Sequence, residues 1–488
     1  MQTTGNSEPS IIKKVLEVFQ AHQASGTPLR SGDFGLPSAG KFADGALDGI
    51  MYYHLGTPEG ELPEEAAKGL QLASDGDIAG AGKVLEAYFD NSESIHTTLE
   101  IADAVSRTIQ EKQQELDFHN LYKLAVSLLM YSGNVECVKF ALLLLEFTDM
   151  GTKEVHDMVR ILSTCGEFTL FCCFSMCYWE DRAAALADAA QINQGWGRIF
   201  AIQFMNREDL KSNPILARWL LFEGCKNDVA PVYSAAKIAE LIDLPLLLTD
   251  SAMTAEDFRA CRDLIAVLLE EEPMAGLSSF EGSVQADILH GFLLQIGRIS
   301  PEEAEYRLLN RLYEYVQDNP SGMEEETAEG IALRIRRLMD TEEGKRAVRR
   351  MLGEKEAFAL AGDMGIDCTE QIYNALKLDF VGFSRYAARL YNRESSRRMV
   401  LKLACDKLPV EAMKEKKADE EMSLEEMMVF FCLKDLLKEL GDYPGSGEEL
   451  VLHALDMEAA DCRAAALALV EDWKENGYRV SAAIEAKL

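Results

Sequence analysis

The sequence has little of several features that mark particular classes of protein. Its 488 residues include only 13 prolines, and no stretch shows the alternation of apolar and polar residues that is typical of β-strands, so the chain is predicted to be all α. No window approaches about 18 uninterrupted apolar residues, which argues against a membrane-spanning helix. The N-terminal residues lack the charged and apolar regions of a secretory signal. We therefore expect a soluble cytoplasmic protein with no membrane partner.

Basic residues are also scarce. There are 49 lysines and arginines against 82 aspartates and glutamates, which gives a formal net charge of −33. No long run of lysine and arginine marks a stripe that could bind a phosphate backbone, so no nucleic-acid partner is expected. A protein partner or a basic peptide suits such an acidic surface better.

The cysteines and histidines do not form a recognisable site. The 11 cysteines are scattered and form no short framework, which indicates a reducing compartment. A cluster of four, with His156 upstream, suggests zinc, and it consists of Cys165, Cys172, Cys173 and Cys177. Yet no Cys-x₂-Cys pair is present and phenylalanines alternate with the cysteines, which favours packing in the core. We predict no metal site and no cofactor.

Changes in composition divide the chain into four segments. Glycine and proline recur between Ser25 and Pro63 around one short helix near Phe42 to Leu55, and Val410 to Glu421 is mostly charged. The predicted segments are an N-terminal helix with a Gly/Pro-rich stretch (1–63), a helical-repeat body (64–409), a charged loop or hinge (410–422) and C-terminal helix pairs (423–488).

The stretch from Leu450 to Asn476 best shows how the helices are organised. It has the pattern of two short helices, and on the second one a set of apolar residues falls at steps of four, three and four: Cys462, Ala466, Leu469 and Trp473. Such a stripe needs a neighbouring helix to cover it. Stacking similar pairs would bury every stripe, which is the principle of an α-solenoid.

A short motif recurs at intervals that suggest repeats. Arg463-x-Ala-x₃-Leu469 has an echo in Lys139-x-Ala-x₃-Leu145 and a looser one that begins at Arg385. The separations are near multiples of about 40 residues, the length of a two-helix HEAT or armadillo unit. Coincidence among alanine-rich helices is the alternative explanation.

Asp456 followed by Arg463 resembles a HEAT repeat, in which an aspartate between the two helices pairs with an arginine at the start of the second helix. Asn134 and Lys139 resemble a substituted version of this pair. The chain departs from the family because the usual proline after the aspartate is missing and the spacing is one residue longer. The resemblance implies a superhelical stack of helical hairpins.

A second resemblance concerns possible functions. Gly195 to Ile199 together with Ala217 to Leu221 is similar to bacterial HEAT-like proteins of unassigned function, some of which carry the label limonene hydroxylase. The leading hypothesis is a scaffold that binds a protein or peptide through a concave surface. The alternative is an enzyme, a monooxygenase-type terpene hydroxylase with an unrecognised cofactor or metal site, for which no catalytic residue can be named.

Two groups of residues are candidate binding sites. Asp44, Asp48 and Tyr52 would line one face of a helix, with glycines beside them that leave room for an approaching group. The alternative is that Asp44 caps the helix and Asp48 is paired or solvated. The stretch Gly35 to Lys41 matches part of a phosphate-binding loop, but Phe42 stands where Ser or Thr must bind magnesium, so an ordinary loop is predicted.

The second group combines aromatic and guanidinium side chains, which are common anchors of protein interfaces. It consists of Trp196, Arg198, Arg218 and Trp219. We predict that these residues contact a partner. The alternative is that the tryptophans fill the seam between helices, while the arginines cap helix ends or pair with the abundant carboxylates.

Overall fold

The computed structural model describes residues 10–26, 29, 32–36, 42–56, 60–90, 97–318, 322–414 and 423–488. In these ranges the protein is helical and contains no β-strand, only an isolated bridge between Glu272 and Ala275. The all-α prediction is therefore confirmed. Residues 37–41 of the loop that resembles a phosphate-binding loop, and residues 415–422 of the predicted hinge, lie outside the described residues.

The chain divides into two compact units, Met1–Arg298 with Pro320–Thr327, and Ile299–Asn319 with Ala328–Leu488. The α-helices described in the first unit are α1 (Ile11–Ser25), α2 (Ala46–Ile50), α3 (Glu64–Ser74), α4 (Ile78–Phe89), α5 (Thr98–Glu111), α6 (Phe118–Tyr131), α7 (Val135–Thr148), α8 (Lys153–Leu162), α9 (Gly166–Met176), α10 (Arg182–Ile192), α11 (Trp196–Gln203), α12 (Arg207–Ser212), α13 (Pro214–Trp219), α14 (Pro231–Leu241), α15 (Leu244–Thr249), α16 (Ala255–Leu268) and α17 (Gly282–Ile296). Two π-helical segments, Met51–Leu55 and Leu220–Gly224, continue α2 and α13, and Leu277–Ser279 is a 3₁₀ turn.

The helices described in the second unit are α18 (Glu303–Asp318), α19 (Glu325–Met339), whose first residues belong to the first unit, α20 (Glu342–Gly353), α21 (Phe358–Asp363), α22 (Thr369–Leu378), α23 (Phe380–Phe383), α24 (Glu394–Lys407), α25 (Leu424–Lys438), α26 (Glu448–Leu455), α27 (Ala460–Glu475) and α28 (Ala482–Glu485), with a 3₁₀ helix at Ser384–Leu390. None of the helices in the described ranges is long and apolar enough to cross a bilayer. The division at 1–63, 64–409, 410–422 and 423–488 stays a prediction.

Helices of the first unit pack mainly against near neighbours in the sequence. Helices α5, α7, α9, α11, α14 and α16 form a row in which each contacts the next. The helices of each of the pairs α6–α7, α8–α9 and α10–α11 also contact each other. Helix α7 is buried on both sides, as its double apolar pattern predicts, because Val138 and Leu142 on one side and Leu144 on the other are fully buried.

The second unit repeats this local packing. Helices α22, α24, α26 and α28 contact one another in succession, while α25 lies between the 3₁₀ helix and α27. The stripe predicted on α27 is confirmed, since Cys462, Ala466, Leu469 and Trp473 are all buried. Leu450 and Val451 of α26 are buried as well, and α26 packs on α27 as the other half of the predicted pair.

The ion pairs implied by the HEAT resemblance do not form among the described contacts. Arg463 donates a hydrogen bond to the carbonyl of Met457 (2.8 Å), whereas Asp456 pairs with Lys414 (3.6 Å) and Lys487. Arg463 lies in the first turn of α27, so its side chain reaches back to the nearby turn carbonyl instead. The substituted pair does not form either: the Asn134 side chain caps α7 by accepting the Cys137 N–H (3.0 Å), and Lys139 has other partners.

Candidate functional site

A short helical stretch from the N-terminal part of the chain lies across the row of helices in the first unit. We call residues 42–56 the docked segment; it contains α2 and the adjoining π-helix. Gly45 precedes α2 with φ 74°, a left-handed conformation that glycine adopts without strain. Side chains and backbone of the segment contact α7, α9, α11 and α14. The predicted helix near Phe42 to Leu55 is thus present, but half of it is a π-helix.

A buried ammonium group anchors the segment. The side chain of Lys139 on α7 is 1% exposed, and its Nζ is surrounded by carboxylate oxygens of Glu167 (2.6 Å), Asp48 (2.8 Å) and Glu136 (3.0 Å). We call these four residues the lysine centre. Three elements supply its carboxylates: α2 of the docked segment, α7 itself and the start of α9. A buried charge needs such partners because removal from water is costly.

Backbone amides hold two of these carboxylates in place. Glu167 accepts a hydrogen bond from the Gly45 N–H (2.8 Å), so it links the docked segment to α9. Glu136 accepts one from the Thr98 N–H (2.7 Å) at the start of α5. Asp48 differs: one of its oxygens lies 2.8 Å from Lys139 Nζ, and no backbone amide of the described residues donates to its carboxylate.

The environment shifts the pKa values of the lysine centre. Burial lowers the pKa of Lys139, but attraction to the three carboxylates outweighs it, so this pKa lies well above its ordinary value. The pKa of Asp48 is raised to about 6, because burial, opposed by Lys139 and reinforced by Glu136 and Glu167, disfavours its charged form. Asp48 therefore takes up a proton at a higher pH than an ordinary aspartate does.

The raised pKa of Asp48 predicts a pH dependence of stability that Asp48→Asn should remove. Because the folded-state pKa exceeds the unfolded value, protonation of Asp48 stabilises the fold fully below about pH 4, and this contribution is lost as the pH rises through about 6. From pH 5 to pH 7 we expect the wild type to lose about 1 kcal/mol more unfolding free energy than Asp48→Asn. Urea denaturation at both pH values measures this.

The matched control is Asp188→Asn, since the side chain of Asp188 is exposed. It should keep the wild-type slope of unfolding free energy against pH. Equal slopes for the wild type and Asp48→Asn would contradict the assignment of the titrating group.

An aromatic face receives the second half of the docked segment. It consists of Trp196 and Phe200 on α11 and Tyr233 on α14. Gly49 lies so close to Trp196 that an added Cβ would stand 2.3 Å from a ring carbon. The Tyr52 ring meets Phe200 edge-on with centroids 6.4 Å apart. These contacts combine apolar burial with favourable ring geometry.

The end of the segment reaches α14. The Tyr53 ring lies 4.5 Å from that of Tyr233, and His54 Nε2 is 2.9 Å from the Tyr233 hydroxyl oxygen. The buried Tyr53 hydroxyl has no hydrogen-bond partner among the described residues, and burial raises its pKa. Tyr52 is 38% exposed and Leu55 73% exposed, so solvent reaches the outer side of the segment.

The structure separates the first group of predicted site residues. Asp44 precedes α2 and accepts a hydrogen bond from the Gly32 N–H (2.8 Å), so it does not cap the helix; burial raises its pKa. Asp48 faces α7, and Tyr52 faces α9 and α11. The room left by Gly45 and Gly49 is filled by the Gly166 carbonyl and by Trp196. Asp44, Asp48 and Tyr52 therefore face different elements, and their role in binding a ligand stays a prediction.

The second group divides as well. Trp196 belongs to the aromatic face, while the buried Arg198 donates hydrogen bonds to the carbonyls of Ala190 (3.1 Å) and Asn193 (3.0 Å) at the end of α10. The Arg198 guanidinium also lies 5.6 Å from the ring of Trp219. Arg218, which is exposed, pairs with acidic residues at the start of α16, Glu256 (2.9 Å) and Asp257 (3.1 Å). The role of the four residues in contacting a partner stays a prediction.

Sequence reasoning did not select Lys139, Glu167, Phe200 or Tyr233 as site residues. A signal for two of them exists: Lys139 and Glu167 are charged residues inside strongly apolar helices, where a charge needs a buried partner. No such signal marks Phe200 or Tyr233, because an aromatic residue on a helix is most often ordinary core.

Three of the four clustered cysteines pack in the core as predicted, whereas Cys177 is only half-buried. Cys165, Cys172 and Cys173 are completely buried in or beside α9, and burial raises the pKa of each thiol. His156 lies elsewhere and pairs with Asp149 (2.6 Å). In the part of the chain that the structure describes, no group of three or more His, Cys, Asp or Glu side chains could hold a metal ion.

The site is thus a surface that holds a helix. The Lys139 ammonium pairs with a carboxyl group, the Trp196 ring packs on a glycine, and the Phe200 ring contacts an aromatic side chain. Its outer part is open to solvent at Tyr52 and Leu55. Comparison of the chain with protein families, with curated proteins and with solved structures gave no match in any of the three.

Proposed function

We propose that the protein is a HEAT-like α-solenoid of the cytoplasm that binds a protein or peptide along the face formed by α7, α9, α11 and α14. The observation that carries this proposal is the docked segment, a helical piece of the chain that already lies across that face. The row of helices that each contact the next supports the solenoid. Binding of a helix in a groove between helices is a common mode of peptide recognition.

The contacts of the docked segment have the composition of a peptide interface. An ion pair to Lys139 lies at its centre, Gly49 packs directly on Trp196, and rings of the segment cover Phe200 and Tyr233. Buried aromatic and charged anchors of this kind dominate the affinity of protein interfaces. Outside this face, the net charge of −33 favours a partner that is basic overall.

The proposal predicts that freeing the face increases capture of a partner. In Gly49→Leu the new side chain would clash with Trp196, so the docked segment cannot seat. Affinity capture from the native cytoplasm, followed by quantitative mass spectrometry, should recover proteins enriched several-fold on Gly49→Leu over the wild type. A lysine-reactive cross-linker should join them to Lys237, which lies one helical turn from Tyr233 on α14.

Gly60→Leu is the matched control, because a Cβ at Gly60 would meet no atom within 4 Å. It should capture the same proteins as the wild type. Equal capture by all three chains, or cross-links confined to the second unit, would refute binding at this face.

A further inference from the structure

The docked segment has linkers of unusual composition on both sides in the sequence. Between α1 and the segment, and again between the segment and α3, glycine and proline recur at Gly26, Pro28, Gly32, Gly35, Pro37 and Gly40, and at Gly56, Pro58, Gly60 and Pro63. Such composition is typical of connections rather than of packed elements. The segment is therefore a helical unit between two such connections, and side-chain and backbone contacts hold it on the row of helices.

The fit of the segment to the face is incomplete. The hydroxyl of Tyr53 is buried without a hydrogen-bond partner among the described residues, and no backbone amide of those residues donates to the buried carboxylate of Asp48. Buried polar groups in folded proteins nearly always have one, and each exception destabilises the arrangement that contains it. A ligand that satisfies these positions better would therefore compete effectively with the segment.

We propose that the docked segment is an intramolecular ligand that a partner can displace. The partner is a helix with a carboxyl residue, a small residue at the next position and an aromatic residue four positions after the carboxyl residue. This inference rests on the proposed function and names the chemistry of its partner. The pattern corresponds to Asp48, Gly49 and Tyr52 of the segment.

Each position is explained by one contact. In the helical row, Glu136 and Glu167 contact the Lys139 ammonium but leave its side toward the segment open. A carboxylate oxygen of the ligand can bind there, where Asp48 lies at 2.8 Å. Any side chain at position 49 would meet the Trp196 ring. Phe200 presents its ring to an aromatic residue one helical turn after the carboxyl group.

The test uses a fluorescent synthetic peptide with the sequence of residues 42–56 and measures its binding to the full chain by anisotropy. The wild type and Gly60→Leu should bind it at least tenfold more weakly than Gly49→Leu, because their own segment competes at the high effective concentration of a tethered ligand. Peptides carrying Asp48→Ala, Gly49→Leu or Tyr52→Ala should each bind Gly49→Leu at least tenfold more weakly than the unchanged peptide.

Circular dichroism and thermal melting verify that Gly49→Leu is folded. If Gly49→Leu does not fold, Gly49→Ala takes its place, because its Cβ alone would meet the Trp196 ring. Failure of the peptide to bind either folded variant, or equal binding of all peptides, overturns the inference. The proposed function is distinguished by the capture experiment: partners that cross-link to Lys237 while the peptide does not bind would leave the binding function standing and refute only the partner chemistry. If no partner cross-links to Lys237 and the peptide does not bind, both the proposed function and this inference are refuted.

Discussion

Replacing Lys139 with methionine is expected to lower the free energy of unfolding of the first unit by about 3–5 kcal/mol, the usual cost of breaking a buried ion pair from one side. The substitution leaves Asp48, Glu136 and Glu167 facing one another in a buried site without a cation. Their repulsion and their lost solvation both favour the unfolded chain. Urea denaturation monitored by circular dichroism measures the loss.

Two further chains make this result interpretable. Lys226→Met removes an exposed lysine that pairs with Glu223 three residues earlier, and should cost less than about 0.5 kcal/mol. In Lys139→Met/Glu136→Gln/Glu167→Gln, neutral amides retain the carbonyl oxygens that accept from Thr98 and Gly45, so most of the lost stability should return. A triple variant no more stable than Lys139→Met would show that lost packing, rather than unpaired charge, causes the effect.

Trp473→Ala is expected to destabilise the second unit by about 3–5 kcal/mol, the range for large-to-small substitutions of aromatic core residues. The Trp473 side chain is fully buried, and its Nε1–H donates a hydrogen bond to the Leu440 carbonyl (3.0 Å). The substitution leaves a cavity between α27 and its neighbours and an acceptor without its donor. The shift in the urea midpoint of the second unit measures the effect.

Leu467→Ala on the same helix is the control, because Leu467 is 40% exposed and contributes little buried area. It should change the free energy of unfolding by less than about 1 kcal/mol. Trp473→Phe retains most of the ring volume and should fall between the two. A loss from Trp473→Ala no larger than that from Leu467→Ala would show that the predicted stripe on α27 does not hold the helix pair together.

Local patterns in the sequence predicted the features that depend on local spacing. The stripe of Cys462, Ala466, Leu469 and Trp473 is a consequence of helical periodicity, and its burial needs only a neighbouring helix. The placement of cysteines in the core is explained by the apolar residues around them.

Contacts between distant parts of the chain could not be predicted in this way. Asp48 and Lys139 lie in elements separated by several helices, and periodicity does not specify which helix a short segment will cross. The same limit explains the absent pair of Asp456 and Arg463, since the partner of a side chain at a turn depends on the path of the neighbouring chain. The charged residues Lys139 and Glu167 within apolar helices were the local signs of a buried partner.

The change from α- to π-helix at Met51 determines the direction of every later side chain in the docked segment. A π-turn accommodates one residue more than an α-turn, so it acts as a single insertion that rotates the subsequent residues about the helix axis. With this rotation Asp48 faces α7 while Tyr52 and His54 face α11 and α14. A chain one residue shorter at this point would direct the same aromatic side chains elsewhere, so the widened turn allows one short helix to contact α7, α11 and α14 together.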